Sequence, residues 1–366
     1  MKRKGKIRAA IVYDAFIPRN TAVAASEVAA VVADACQVQQ ALSGSGVAAV
    51  LLPVNGNIFE VIAAVKKIKP AVVVNLCESF RDCSSYEAQI AGLLELVGCP
   101  YTGNCPSALD LCQDKFRTKA VLRACGLPTP KGWLAGNEKD IPDNAGFPLI
   151  VKPNFEDGGI GIYADSVVHD RKALTAGVNR IVMKYKQPAL IEEFIAGREF
   201  NVAVIENPET QAPPTPLRQS APPRRERSAQ ASAGRVKILP LSEISFAGLS
   251  QDLPRLVGYE AKWTKGHPFY IGTVPVCPAK DVSGKTAESL RKLAIRTWQI
   301  MRLCGYARID IRVAAGGKPH IIDVNPNPDS SYDAGLARSL KAAGISLNEF
   351  WYGQVMSAIE RNKRRA

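Results

Sequence analysis

The chain has 366 residues, a formal net charge of +13 and 46% hydrophobic residues. This length allows two or three domains with a substantial core. No run of about eighteen apolar residues occurs, so we expect no transmembrane helix and no membrane partner. The nine cysteines are scattered without a C-x-x-C pair. That spacing favours reduced thiols in a cytoplasmic protein over a disulfide framework or a zinc site.

The basic charge lies at both ends, MKRKGK and RNKRRA, and in one Arg-rich segment. Such a balance suits anionic ligands such as nucleotides, or non-specific nucleic-acid contact. No motif of a DNA- or RNA-binding module accompanies it, so we expect no specific nucleic-acid binding. Only three histidines occur, which argues against catalysis or metal binding centred on histidine. The first residues lack the features of a signal peptide.

Strand and helix patterns alternate in the first part of the chain. Short apolar runs lie at 7–12, 47–52 and 71–76, with helical patterns near 24–42 and 58–68. This order predicts a parallel, Rossmann-like α/β domain over 1–105. Its first strand lacks the G-x-G-x-x-G of dinucleotide-binding proteins. Ligands of such sheets bind beyond the carboxyl ends of the strands. Glu27 lies near that edge, either as a site residue or as an acid favoured by the helix dipole.

The stretch YARIDIRVAAGGKPHIIDVNPNPDSS contains two alternating runs around a Gly-Gly-Lys-Pro turn, which predicts a β-hairpin. Arg308, Asp310 and Arg312 share one face of the first strand, and Asp323 and Asn325 share one face of the second. Paired strands would bring together two carboxylates and an amide, a set of hard oxygen ligands suited to Mg²⁺. A polar hairpin face with surface ion pairs is the alternative. The prolines directly after the polar pair argue against it.

Two earlier segments contain residues that could bind phosphate, but neither segment identifies a site by itself. ALDLCQDKFRTKAVLRACG predicts one helix that ends at Gly126. PLIVKPNFEDGGIGIY predicts a strand, a Gly-rich loop and a second strand. Gly158 and Gly159 would let backbone N–H groups approach a phosphate, with Lys152 ending the preceding strand. An ordinary hairpin turn would show the same glycines.

Residues 207–234 break the pattern. Pro, Ser, Ala, Gln and Arg dominate this segment, and it contains no aromatic residue. Such a composition buries too little apolar surface to offset its ordering entropy. We therefore expect a disordered insert between two strands of one sheet, which long loops tolerate well.

The Arg-Ile-Asp and Asp-Val-Asn-Pro-Asn-Pro motifs resemble the metal-binding end of ATP-grasp ligases, and in particular the D-alanine–D-alanine ligase group. Motifs similar to that family occur in its order along nearly the whole chain apart from the insert. The resemblance implies an ATP-grasp fold, of mixed α/β and α+β class, behind the Rossmann-like (pre-ATP-grasp) domain. Its parts would be an ATP-grasp domain over 106–366, with a nucleotide-covering subdomain at about 145–206 and a core with the metal site at 235–366.

The resemblance also assigns residues. For ATP it implies Lys115, Lys152 and Lys262 on the phosphates, Gly158 and Gly159 in the covering loop, Glu192 with the backbone of Glu193 and Ile195 on adenine, and Glu199 on the ribose. For the reaction it implies two Mg²⁺, or Mn²⁺, on Asp310, Asp323 and Asn325, Arg308 on the oxyanion, and Glu27, Ser330 and Ser331 at the substrates.

The implied activity is ATP-dependent ligation of a carboxylate to an amine through an acyl phosphate. The two substrates would be small and amino-acid-like, for peptidoglycan precursor or other dipeptide synthesis, and a homodimer is one expectation for assembly. The family's His-Gly pair is missing, since its place reads NLCESFRDCSSYEAQ. Asp323 stands where Glu is usual. The alternatives are a different acid and amine pair, an ATP- and Mg-binding protein without ligase activity, or a non-enzymatic basic scaffold.

Overall fold

The computed structural model describes residues 7–16, 22–206 and 236–365, without the side chains of 22–27 and 365. The predicted insert at 207–234 and the side chain of Glu27 therefore lie outside the described residues. All nine cysteines are described and are free thiols. Within the described ranges, no helix is long and apolar enough to cross a membrane.

The amino-terminal part is the predicted parallel sheet, in the strand order β2-β1-β3. Its elements are β1 (Arg8–Asp14), α1 (Ala22–Gly44), β2 (Ala48–Val54), α2 (Ile58–Ile68) and β3 (Val72–Asn75). Successive residues of β1 are fully buried in different cores, Ala9 and Ile11 in one and Ala10 and Val12 in the other. Both faces of this central strand are therefore covered, as is usual in parallel sheets.

The next segment contains a correction. The predicted single helix is two, α4 (Pro106–Gln113) and α5 (Lys115–Ala124), after α3 (Glu87–Leu96). Asp114 between them is extended, and its side chain accepts from the N–H of Arg117 at 3.0 Å and from Nδ2 of Asn154 at 2.9 Å. An Asp that caps a new helix start in this way competes with continuation of the preceding helix. Lys115 is the first residue of α5, and Lys119 lies one turn after it.

A small antiparallel sheet follows, in the order β4-β7-β5-β6, with a helix packed against it. Its elements are β4 (Gly132–Ala135), β5 (Leu149–Pro153), β6 (Val167–Val168), α6 (Arg171–Tyr185) and β7 (Ala189–Glu193). The limits of about 145–206 for the nucleotide-covering subdomain stay a prediction. Strand β4 pairs with β7, and the chain after β7 enters the next sheet, because strand pairing rather than sequence position decides membership.

The predicted second strand after the Gly-rich loop is also wrong. The chain passes from β5 through turns and a 3₁₀ turn at Ala164–Ser166 before it reaches β6. Gly158 and Gly159 have φ values of +64° and +79°, a backbone region that glycine adopts readily. The N–H of Ile160 donates to the carbonyl of Asp157 at 3.1 Å. Local turn bonds of this kind replace the ladder of a hairpin.

The large sheet is antiparallel, in the order β11-β10-β8-β12-β13, with β9 paired to β8. Its strands are β8 (Gly197–Glu206), β9 (Val236–Ile238), β10 (Ser242–Ser245), β11 (Val274–Val276), β12 (Tyr306–Ala314) and β13 (Pro319–Asn325). The helices of this part are α7 (Tyr259–Trp263), α8 (Pro268–Gly272) and α9 (Gly284–Ile300). The described strands on either side of the predicted insert thus pair directly, as expected.

The predicted hairpin is β12 with β13, and its alternation positions the polar side chains. Ile309 and Ile311 pack with Leu290 and Trp298 of α9 in one hydrophobic core. Because side chains alternate across a strand, the polar residues of β12 face the opposite side of the sheet. Asp310 lies directly opposite Asp323 in the strand register.

The last two helices are α10 (Gly335–Ala342) and α11 (Leu347–Arg365). Phe350 and Trp351 of α11 pack in the same core as Ile11 of β1 and Tyr306 of β12. The Tyr306 ring makes edge contacts with both, at centroid distances of 5.5 Å and 5.9 Å. The carboxyl-terminal helix therefore packs the amino-terminal sheet against the large sheet. The domain boundary at residue 105 stays a prediction. Residues from both sides of this boundary contribute to the same hydrophobic core.

Candidate active site

A cavity of about 270 Å³ lies between the small sheet, the large sheet and the start of α5. It is lined by every residue predicted for the nucleotide and metal sites and by Arg308: Lys115, Lys152, Gly158, Gly159, Glu192, Glu193, Ile195, Glu199, Lys262, Asp310, Asp323 and Asn325. These residues come from chain segments far apart in sequence. Their convergence is what the motifs alone were unable to demonstrate.

Asp310 is the best-anchored carboxylate of the cavity. Arg308 grips it with two bonds, from Nε to Oδ1 at 2.8 Å and from Nη2 to Oδ2 at 2.9 Å. Asn201 Nδ2 donates to Oδ1 at 2.7 Å, and Asn325 Nδ2 donates to Oδ2 at 3.1 Å. A forked guanidinium and two amides leave this carboxylate little rotational freedom. Asn201, on the neighbouring strand β8, was missed by sequence reasoning, although its alternation with Glu199 places both on the same face.

Asp323 faces a group of cations. Lys115 Nζ lies 3.9 Å from its Oδ2 and 2.7 Å from Asp157 Oδ1. Burial alone would raise the pKa of Asp323, but the positive charges of Lys115 and Lys152 lower it to about 2. Burial would likewise lower the pKa of Lys115, but Asp157 and Asp323 raise it above its ordinary value. Both groups are therefore charged at neutral pH.

Glu192 is shared by two lysines. Lys152 Nζ lies 2.9 Å from its Oε2, and Lys119 Nζ lies 2.9 Å from its Oε1. Burial would raise the pKa of Glu192, but the two ammonium groups lower it below its usual range. Lys119 was missed by sequence reasoning. No local signal marks it, because a lysine on a helix is usually solvated and its partner Glu192 lies far away in the sequence.

Glu199 is held by Arg312 of β12, whose face was predicted from the sequence but whose partner was not. Its Oε2 accepts from Nε at 2.9 Å and from Nη2 at 2.7 Å. Nη1 of Arg312 also donates to the carbonyl of Ile195 at 3.0 Å. The guanidinium carbon lies 5.0 Å from the ring centroid of Phe194. Arg312 therefore fixes both the carboxylate and the segment between β7 and β8 that were predicted to hold the nucleoside.

The Gly-rich loop is tied to the short helix that carries Lys262. Nε1 of Trp263 donates to the carbonyl of Gly158 at 3.0 Å. The N–H of Tyr259 donates to the carbonyl of Ile162 at 2.8 Å. The loop and Lys262 consequently form one wall of the cavity.

Two of the three predicted substrate residues are not brought to this cavity. Ser330 and Ser331 lie in the loop after β13 and do not line it. Ser331 is instead bonded within its own loop, where its N–H donates to Asp329 Oδ1 at 2.8 Å. Gly335 and Arg338 of α10 do line the cavity, and neither was predicted. With the Glu27 side chain outside the described residues, the substrate roles of Glu27, Ser330 and Ser331 stay predictions.

Glu87, at the start of α3, gives a testable pH dependence. Burial raises its pKa to about 8, although Asn327 Nδ2 donates to its Oε1 at 2.9 Å and lowers it. The unfolded carboxyl titrates near ~4.3. Between these values the folded protein binds more protons, so Glu87 makes the protein less stable as pH rises. Glu87→Gln removes this dependence. The melting temperature of the variant minus that of the wild type should therefore rise from pH 5 to pH 8.

Glu138→Gln is the control for Glu87→Gln, because Glu138 is an exposed carboxylate in a surface turn. Its melting-temperature difference should not follow pH in the same way. A Glu87→Gln difference that stays constant across this pH range would contradict the raised pKa.

Two sheets that enclose a charged cavity between them, behind an amino-terminal parallel domain, define the ATP-grasp class. The model of the family described as "D-ala D-ala ligase C-terminus" matches residues 129–219 and 232–352. The chain belongs to this family, as its motifs indicated.

Relatives and a solved structure support the same placement. The chain is 29% identical to an uncharacterized protein of Sinorhizobium fredii, with 77% of this chain and 73% of the relative covered. It is 28% identical to a D-alanine–D-alanine ligase of Moorella thermoacetica, with coverages of 88% and 92%. The crystal structure of a D-alanine–D-alanine ligase from Bacillus anthracis complexed with ATP superposes with a TM-score of 0.71. That match has 19% identity and covers 98% of this chain and 100% of the other, which confirms the predicted fold.

Proposed function

We propose that the protein is an ADP-forming, ATP-dependent carboxylate–amine ligase, namely a D-alanine–D-alanine ligase or a close relative with another acid and amine. The observation that carries this proposal is that cations face a carboxylate pair within one cavity. Lys115, Lys152 and Lys262 line it together with Asp310 and Asp323. Membership of the D-alanine–D-alanine ligase family supports the assignment.

The lining residues support one proposed orientation of ATP in the cavity. The end formed by β7 and the following segment offers Glu192 and the backbone of Glu193 and Ile195 for the adenine edge. Glu199 would accept from the ribose hydroxyls through the carboxylate oxygen that Arg312 does not bind, because both bonds from Arg312 go to Oε2. The triphosphate would then lie under the Gly-rich loop, among the lysines. Backbone N–H groups and ammonium groups are suitable partners for phosphate oxygens.

The oxygen ligands are of the type that binds a divalent cation, which would replace some of the four bonds that Asp310 accepts in this structure. Asp310 and Asp323 lie opposite each other in the register of the hairpin, and Asn325 is two residues further along. Across the residues described here, no set of three or more His, Cys, Asp or Glu side chains is arranged for a metal ion. Two carboxylates and an amide would leave coordination positions for phosphate oxygens, an arrangement that Mg²⁺ favours. We propose two Mg²⁺, with Mn²⁺ as an alternative, and bound ions would neutralise charge on the phosphates during transfer.

The reaction follows from the chemistry of carboxylates. An oxygen of the acid attacks the γ-phosphorus of ATP, which forms an acyl phosphate and releases ADP. The neutral amine nitrogen of the second substrate then attacks the acyl carbon. Collapse of the tetrahedral intermediate expels inorganic phosphate, and the amine loses a proton to give the amide. Lys115 and Lys152 hold the transferring group in line, and Arg308 stabilises the oxyanion of the intermediate.

The two substrates are less sharply defined than the nucleotide. The segment after β3 lacks the family's His-Gly pair, and the 3₁₀ turn at Ser84–Tyr86 occupies part of its place. The proposal therefore specifies two small amino-acid-like substrates without fixing both to D-alanine. Synthesis of a peptidoglycan precursor or another dipeptide, and assembly as a homodimer, remain predictions.

The test is ADP release measured over pairs of D- and L-amino acids, with the dipeptide identified by mass spectrometry. Release of one ADP for each dipeptide formed, with D-alanine or another pair, supports the ligase. ATP binding without turnover on any pair would favour the nucleotide-binding alternative. A protein that does not bind ATP would overturn the proposal.

A further inference from the structure

Lys119 does not line the cavity, yet it contacts a residue that does. Its side chain and that of Glu192 are each 2% exposed. Lys119 donates to Oε2 of Glu192 at 3.1 Å and lies 2.9 Å from Oε1. Lys152, which lines the cavity, also binds Oε2, at 2.9 Å. One carboxylate thus holds two ammonium groups, of which Lys152 alone lines the cavity.

In the proposed nucleotide site, Lys152 can bind either Glu192 or the triphosphate. A triphosphate in the cavity competes with Glu192 for this lysine. If Lys152 were the only cation bound to Glu192, its departure would leave a buried carboxylate without a compensating charge, which is strongly unfavourable. Lys119 removes this penalty because it stays on the carboxylate from the side away from the cavity.

We propose that Lys119 is a positioning residue that keeps Glu192 neutralised, so that Lys152 is released to the triphosphate. This inference rests on the proposed ATP site. The titration behaviour agrees with it. Burial lowers the pKa of Lys119 to about 8, while Glu192 raises it and nearby Lys152 lowers it further. Movement of Lys152 toward a phosphate would remove that last effect and leave Lys119 more firmly charged.

A purely structural role is the competing explanation, because Lys119 also joins α5 to β7. Such a role would change stability but would affect adenosine and ATP binding equally. The discriminating quantity is the ratio of the adenosine dissociation constant to the ATP dissociation constant. This ratio measures the contribution of the triphosphate and cancels any loss in adenine recognition.

The experiment measures both constants by calorimetry in the full-length protein with saturating Mg²⁺. The variants are Lys119→Met, Lys119→Met with Glu192→Gln, and Arg117→Met as the control. Arg117 is a cation on the same helix whose side chain is 59% exposed. Lys119→Met should lower the ratio by about tenfold or more, the loss expected for one hydrogen bond to a charged group. Adding Glu192→Gln should restore the ratio, because Lys152 is then no longer held by a carboxylate. Arg117→Met should leave it unchanged.

Melting temperatures of all variants show whether each is folded. An unchanged ratio in folded Lys119→Met, beside a high wild-type ratio, would overturn the inference and leave the proposed function standing. A lowered ratio that Glu192→Gln does not restore would do the same. A wild-type ratio near one would overturn the proposed nucleotide site and this inference with it. If Lys119→Met does not fold, Lys119→Arg replaces it, and a wild-type-like ratio there with a lowered ratio in Lys119→Gln supports the inference.

Discussion

Replacing Asp323 by Asn is expected to abolish Mg²⁺-dependent turnover, with kcat lower by at least ~10²-fold. The amide has the shape of the carboxylate but not its charge. In the wild type the cations of the cavity keep the Asp323 carboxylate ionised, because they lower its pKa to about 2. ATP measured without metal should bind as well as before, because the variant removes an anion from beside the proposed triphosphate site. The measurements are kcat and the ATP dissociation constant with and without Mg²⁺.

Stability gives a second readout for the same variant. The folded pKa of Asp323 is below the unfolded value, so its charge stabilises the protein above pH ~4 and this contribution is lost as pH falls toward 2. Asp323→Asn should therefore lower the melting temperature at neutral pH. Nucleotide alone should still raise the melting temperature of the variant, but the additional rise expected in the wild type when Mg²⁺ is added to nucleotide should disappear. Asp165→Asn, a change at an exposed carboxylate paired with Arg180, is the control. Normal turnover in Asp323→Asn would refute the metal assignment.

The hairpin was readable from the sequence because period-two alternation fixes which side chains share a face. Ile309 and Ile311 alternate with Asp310 and Arg312, so a strand that buries the apolar residues must place the polar ones together. The Asp310–Asp323 pairing then depends only on the register set by the turn. The same logic made the parallel sheet readable, since its apolar runs have the length of strands and the intervening patterns have the length of helices.

The break at Asp114 was not readable, because a helix pattern continues across it on both sides. Asp114 caps the second helix and also accepts from Asn154, a tertiary partner that lies beyond β4 and β5 in the chain. The turn structure after Lys152 was missed for a similar reason. Glycines followed by apolar residues fit a hairpin locally, whereas the actual partner of Ile162 is the backbone of Tyr259.

Charge pairing was the least predictable feature of the site. A lysine on a helix is usually solvated, and nothing local marks Lys119 as one that enters a core. Its partner Glu192 lies on β7, and the pairing exists because α5 packs under the small sheet. Arg312 differs, since its alternation with Asp310 was visible and only its partner Glu199 on the next strand was not. Sequence periodicity thus identifies the face of a side chain, while its partner is set by sheet order.

Arg308→Lys should damage catalysis far more than nucleotide binding. The oxyanion on the attacked carbonyl exists only near the transition state, whereas the charge of ATP is present in the ground state and meets the lysines there. A guanidinium offers a fixed fork of donors, and an ammonium is a flexible point charge. Loss of one such donor lowers kcat by about 10²–10³-fold. The ATP dissociation constant should stay within a few-fold, because an interaction made only in the transition state does not contribute to ground-state binding.

The structure adds a reason to expect that separation. Arg308 also holds Asp310, and a lysine there replaces two bonds by one. Asp310 nevertheless keeps its bonds from Asn201 and Asn325, so the carboxylate stays oriented and the proposed metal site survives the change. The lost function would then be confined to the proposed stabilisation of the oxyanion.

Arg312→Lys is the matched comparison, two residues along the same strand. Arg312 binds Glu199 and the carbonyl of Ile195, and an ammonium is too compact to replace the fork that joins them. This variant should therefore raise the ATP dissociation constant, with a smaller effect on kcat at saturating ATP. Both constants are measured on the same preparation, with the amino-acid pair that supports turnover. If Arg308→Lys also weakens ATP binding and keeps a normal kcat, then Arg308 contacts phosphate in the ground state and the oxyanion role is wrong.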